Sequence, residues 1–201
     1  MTSIIDIVTS LWIFGTPALL AILMLLLLRI RRARTPILFG SAVLLGYFVF
    51  ASLAPQRIEI PVEGASKADW NSKSFWYEPW GASIVHRGVD IFAKSGAHVT
   101  SPSPMFVIWT GSNSFSGKFI VGIDPYSRLH FFAHLDDIIT SRWAFELTGN
   151  TIGTVGDTGN ARGKAPHLHY GIASLIPRFW LITNQTLGHL RAFYLDPIKL
   201  F

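Results

Sequence analysis

RLHFFAHL at 128–135 and HLHYGIA at 167–173 decide the fold, because each is a short aromatic and β-branched run ended by a turn signal. Neither is long enough for a helix of ordinary length, and both alternate with the period of a pleated strand. VDIFA (89–93), HVTSP (98–102), MFVIWTG (105–111), KFIVGID (118–124) and TIGTVG (151–156) read the same way. Gly, Pro, Ser and Asn separate them, and no stretch between 81 and 173 keeps a 3.6-residue apolar period. The expectation is a mainly β, antiparallel domain.

The same runs carry the chemistry. In HLH, residues 167 and 169 lie two apart on a strand, so both imidazoles start about 6.6 Å apart on one face. By the same alternation RLHFFAHL puts His130, Phe132 and His134 on one face. HRGVD (86–90) needs more, since His86 and Asp90 on a straight strand would start about 13 Å apart. The backbone must turn there, and Gly88 supplies the freedom. Two imidazoles and one carboxylate suit a zinc ion and leave the open fourth position of a catalytic site. Residue chemistry alone leaves the HLH ligand open: either histidine could bind, or both could, closing the site. Solvated strand histidines are the bland alternative for each motif taken singly.

Upstream, APQRIEIPVEGAS (54–66) reads as an extended linker, and WNSKSFWYEPW (70–80) as aromatic packing or a lid, with a carbohydrate-stacking or interfacial surface as the alternative. Downstream of the sheet, 175–193 reads as a helical excursion covering it. Gly153, Gly156, Gly159 and Gly163 match neither a phosphate loop nor a dinucleotide fingerprint, and read as turns shaping a cleft wall. Arg162 and Lys164 read as solvated loop charges, with substrate carboxylates as an alternative role; His98, His130 and His189 read as structural.

Half of the 201 residues are apolar and only 14% are charged, against about a quarter in an ordinary globular chain. Charge-free runs at 7–28 and 35–56 account for this. At about 1.5 Å per residue each could cross a hydrocarbon core of about 30 Å, so two transmembrane helices, about 7–28 and 35–54, are expected within an anchor at 1–56. Arg29, Arg31, Arg32 and Arg34 between them should stay cytoplasmic, leaving both termini and the domain outside an inner membrane crossed twice. Residues 57–80 then form the linker and aromatic segment, and 81–201 the catalytic domain. Those arginines supply four of the net five positive charges, so the remainder is nearly balanced and nucleic-acid binding is not expected. With no cysteine, disulfides, thiolate nucleophiles and Cys-ligated metals are excluded.

Taken in order, HRGVD, AHL and PHLHY resemble the lysostaphin-type, or LytM-type, zinc metallopeptidases, which cut peptide cross-bridges of bacterial peptidoglycan. The resemblance covers about residues 76–173, and YLDPIKL (194–200) is similar to the usual tail of the family. It implies one Zn2+ per chain held by His86, Asp90 and His169, with water as the fourth ligand and His134 and His167 as unligated catalytic histidines. The implied function is a membrane-anchored zinc endopeptidase acting on peptidoglycan peptides, with lipid contacts through the two helices. The alternative is a wall-binding regulator, without hydrolysis, that activates another hydrolase. The chain departs from the family in having Phe132 where a tyrosine often precedes the alanine of AHL, and in offering Tyr77 or Trp80 as oxyanion donor.

Overall fold

The computed structural model describes residues 34–53 and 57–201. The chain divides into two compact units between Phe50 and Ala51. The first contains most of helix α1, Arg34–Leu53.

The expected membrane hairpin is not borne out among the described residues. Its first span, 7–28, lies outside the described residues. The second, 35–54, falls on α1, yet among the described residues no helix is long and apolar enough to cross a membrane. Arg34 opens this helix, and Pro36, Gly40, Ser41, Gly46 and Tyr47 interrupt its apolar run.

The second unit is built on the expected antiparallel sheet. Its strands are β1 Val89–Phe92, β2 His98–Thr100, β3 Met105–Asn113, β4 Gly117–Ile123, β5 Arg128–Ile138, β6 Phe145–Glu146, β7 Thr151–Val155, β8 His167–Ser174 and β9 Tyr194–Leu195. The main path runs β1-β8-β5-β4-β3-β6; β7 joins β5 and β2, and β9 joins β8. Every pairing is antiparallel.

Alternation sorts the two faces. Val89, Ile91, Val107, Ile120, Phe132, Leu168, Tyr170 and Ile172 are all fully buried on one side, each worth about 1.5–3 kcal/mol of burial for a large apolar side chain. Ile58, Val62, Trp70 and Leu195 close this core. The opposite face carries Asp90, Phe131, Ala133, His167 and His169, which line one cleft.

The aromatic segment divides: Trp70 and Trp76 are buried, whereas Trp80 is part-exposed. In the tail the expected helical cover is two short 3-10 turns, Phe179–Leu181 and Gly188–Ala192. Ala192 is buried, but Leu175, Phe179, Trp180 and Ile182 are exposed.

Candidate active site

Register assembles the first part of the site. Asp90 on β1 lies opposite His169 on β8, and His169 lies opposite Ala133 on β5. His86 precedes β1 and reaches the same point by a turn: its Nε2 is 3.1 Å from Asp90 Oδ1 and 3.0 Å from His169 Nδ1. His169 Nδ1 is 2.8 Å from Asp90 Oδ1. Gly88 makes the turn possible by close approach and not by an unusual backbone angle. A Cβ there would stand 2.5 Å from the Tyr170 carbonyl oxygen.

His86 is fixed at both ends. Its N–H donates to the Tyr77 carbonyl and its C=O accepts from Trp76 N–H, while its ring Nδ1 donates to the Ser74 carbonyl at 3.0 Å. A carbonyl can only accept, so Nδ1 carries the proton and Nε2 presents its lone pair to Asp90 and His169. Trp80 stacks on this ring, centroids 4.0 Å apart. Burial raises the Asp90 carboxyl, but the adjoining His169 and His86 rings outweigh it and hold the group well below the usual carboxylate range.

His134 and His167 join the same cleft by different routes. His167 points there by simple alternation with His169. His134 does not, because His130 and Phe132 face the core and strict alternation would send His134 after them. Instead the β4–β5 register slips by one residue between Lys118 and Ile120, and His134 takes a left-handed φ of 64°. That bulge turns its ring onto the Phe131 and Ala133 face. The expectation that His130, Phe132 and His134 share a face is therefore corrected, and Phe132, buried against Tyr170, lies on the core side of the sheet.

Both rings have an assigned tautomer. His134 Nδ1 donates to the Thr158 carbonyl at 2.9 Å and His167 Nδ1 to the Ala165 carbonyl at 2.8 Å, so each Nε2 is the basic atom. The two rings meet edge to face, centroids 5.2 Å apart, and His134 lies 6.0 Å from His169. Burial first, then the neighbouring His169 and His167, push His134 down to about 4. The cleft around these groups holds about 500 Å³.

A cluster of His, Asp and His, ordered HxGxD then HxH, with two more tautomer-fixed histidines alongside, is the arrangement that comparison with known proteins then places. Residues 84–177 match the model of peptidase family M23. These residues form an M23 peptidase domain. The L-Ala–D-Glu endopeptidase of Bacillus subtilis is 34% identical over 115 residues, 53% of this chain and 35% of that protein. The peptidoglycan DD-endopeptidase ShyC of Vibrio cholerae is 30% identical over 86 residues, 43% of this chain and 19% of that one. The chain thus spans about a third and a fifth of these two relatives. The catalytic domain of the antimicrobial peptidase lysostaphin from Staphylococcus simulans shares the fold at 22% identity, with a TM-score of 0.50 over 66% of this chain and 92% of that one.

Within the M23 domain the remaining candidates separate. Of the two oxyanion candidates only Trp80 lines the cleft, with Tyr77 edge-on behind it at 6.2 Å. Lys164 lines the cleft and Arg162 does not. His98 is exposed and pairs with Glu63 at 2.9 Å.

Sequence reading missed two features of the M23 domain. Thr158 fastens the cleft wall: its hydroxyl donates to the Leu135 carbonyl and accepts from Lys118 N–H, while its carbonyl holds His134. Behind the sheet, Asp124 and Arg128 form a fully buried pair at 2.6 Å through Arg128 Nε. Asp124 also faces His130 Nε2 at 3.2 Å, and His130 Nδ1 meets the Tyr170 hydroxyl at 2.6 Å. DPYSR, a tight turn between two strands with opposite charges at its ends, was the available signal.

Proposed function

We propose that this chain is a zinc-dependent endopeptidase that hydrolyses peptide cross-links of bacterial peptidoglycan. One observation supports it most: two imidazole nitrogens, His86 Nε2 and His169 Nδ1, and one carboxylate oxygen converge within 3.1 Å of one another. With His86 Nε2 unprotonated, the trio shares at most the one proton on His169 Nδ1, so the donor set is built for a cation and fits zinc.

His86, Asp90 and His169 would hold the ion, with Ser74 orienting His86 from behind. Zinc bound there supplies Lewis acidity that makes water nucleophilic near neutral pH and polarises the scissile carbonyl. Everything else falls to protein groups. His134, kept neutral by burial and its histidine neighbours, takes the proton of the attacking water at Nε2. His167 in its protonated form donates from Nε2 to the oxygen of the cleaved carbonyl. The new amine then receives the proton that His134 took.

The reading is tested on the full chain in detergent, with zinc per chain measured beside mass analysis of cross-linked muropeptides. The expected result is one zinc per chain and products that have gained one water, abolished by chelation and restored by zinc. Stoichiometric zinc without turnover would instead mean a wall-binding regulator, a reading that retention of all five site positions disfavours. Membrane anchoring and an extracytoplasmic domain are proposed on the charge-free runs and the arginine loop between them. Leu38, Phe39, Leu44 and Leu45, exposed along α1, support this. A reporter active only outside the cytoplasm, fused after Phe201, should be active.

A further inference from the structure

From the cleft a row of rings crosses the sheet toward its far edge. Phe131, edge-on to His169 with centroids 6.3 Å apart, meets Phe119 at 5.8 Å. Phe119 and Trp109 flank Gly111 together, each within 3.2 Å of where its Cβ would stand. The Arg142 guanidinium lies 5.2 Å from the Trp109 ring centroid and 4.4 Å from that of Trp143. Trp143 meets Phe106 at 5.8 Å.

Register puts Trp109 opposite Val121 and Val121 opposite Phe131. Phe131 lines the cleft, so the row lies on the cleft face and continues its floor. Trp109 is 52% exposed and Trp143 58%. Arg142 Nε donates to the Ile108 carbonyl at 3.0 Å, so the cation is pinned between the two indoles and is not waving in solvent.

We infer that this row is a sugar subsite, in which Trp109 and Trp143 stack on the glycan strand that carries the scissile peptide. The inference rests on the peptidoglycan reading above. A pyranose offers a flat face of C–H groups, weakly positive, to the negative face of an indole, and its hydroxyl and amide oxygens project at the rim. Arg142 keeps guanidinium N–H donors between the two platforms for those oxygens or for a carboxylate on the strand. Continuity with the cleft floor favours a substrate over an unrelated partner.

The spacing also fixes where the peptide is cut. From β8 to β3 is three strand steps, about 14 Å at about 4.8 Å each. An extended peptide covers about 3.3–3.6 Å per residue, so about four residues separate the sugar from the scissile bond. Cleavage therefore falls near the cross-link and not at the first peptide bond beside the glycan.

The test uses full chain in detergent and peptide-free oligosaccharides of alternating N-acetylglucosamine and N-acetylmuramic acid, with binding followed by calorimetry. Trp109→Ala and Trp143→Ala should each weaken binding at least tenfold, Trp109→Phe should keep part of it, and His169→Ala should bind as the unaltered chain does. No binding by the unaltered chain, or equal binding by the tryptophan variants, overturns the subsite. So does loss of binding to phosphatidylglycerol vesicles with glycan binding intact, which would make the row a membrane contact. Glycan binding without any peptide cleavage would count against the endopeptidase reading and leave the subsite standing.

Discussion

His134 hangs on Thr158: its ring donates from Nδ1 to the Thr158 carbonyl at 2.9 Å while its own backbone sits at a φ of 64°. A residue bearing a Cβ is uncomfortable there by about 1–2 kcal/mol. The strain turns one histidine from the core side of β5 to the cleft side.

Strain of this kind reverses the usual ranking of glycine and alanine in a strand. His134→Gly should be more stable than His134→Ala by about 1 kcal/mol, roughly 2–4 °C in melting temperature, although both lose activity. Equal melting temperatures, or alanine the higher, would show that position 134 is unstrained.

The proposed division of labour among the five residues has a sharp signature. His169→Ala and Asp90→Ala should lose zinc and activity together. His134→Ala and His167→Ala should keep about one zinc while the rate falls by about 10²–10⁴, the usual worth of a positioned acid or base. Metal analysis beside muropeptide assays reads both; zinc lost from His167→Ala but kept in His169→Ala would reverse the ligand assignment.

Gly88 separates steric need from conformational need. Since its missing Cβ would press on the Tyr170 carbonyl at 2.5 Å, Gly88→Ala should push β1 away from β8, cost about 1–3 kcal/mol and weaken zinc binding by displacing Asp90 from His169. A variant with unaltered zinc affinity and melting temperature would mean that the strands yield without consequence.

Much of this architecture was legible in the sequence. Period-two runs separated by turn residues gave the antiparallel sheet, and HLH placed His167 and His169 on one face because nothing interrupts β8 between them. His134 was misplaced because a bulge leaves no mark on apolar alternation: counting by twos through RLHFFAHL lands on the core side. Gly88 was singled out correctly for the wrong reason, since close approach depends on what β8 brings opposite, which lies about eighty residues away. Asp124 and Arg128 carry no mark of burial in the sequence, because their burial is a property of the folded sheet. The row from Phe131 to Phe106 was invisible for the same reason, being drawn from three strands and a loop.

Burial of the Asp124–Arg128 pair makes a further outcome specific. Both side chains are 0% exposed, and Asp124 lies below its ordinary value because contacts with His130 and Arg128 outweigh the opposing effect of burial. Asp124→Asn removes the carboxylate charge that faces Arg128 in this buried pair, which costs about 3–5 kcal/mol. Chemical denaturation should show that loss; a change below about 1 kcal/mol would mean that water reaches Arg128 in the variant.

Acid titration isolates His134. Its value is lowered in the folded chain, from 6.5 to about 4, so the unfolded chain binds a proton there before the folded chain does. The contribution to stability is therefore complete above 6.5, falls as the pH drops from 6.5 toward about 4, and is fully lost below that. The slope is at most about 1.4 kcal/mol per pH unit for one proton. His130 is also lowered, by burial foremost, and Asp124 by its partners, but both remain in a His134→Gln variant and cancel in the difference. Zinc-free full chain and His134→Gln, unfolded with urea across this range, should therefore converge in stability as the pH falls and run parallel above 6.5. Parallel curves throughout would mean that the His134 ring titrates as it does in water, and that burial and its histidine neighbours do not hold it neutral.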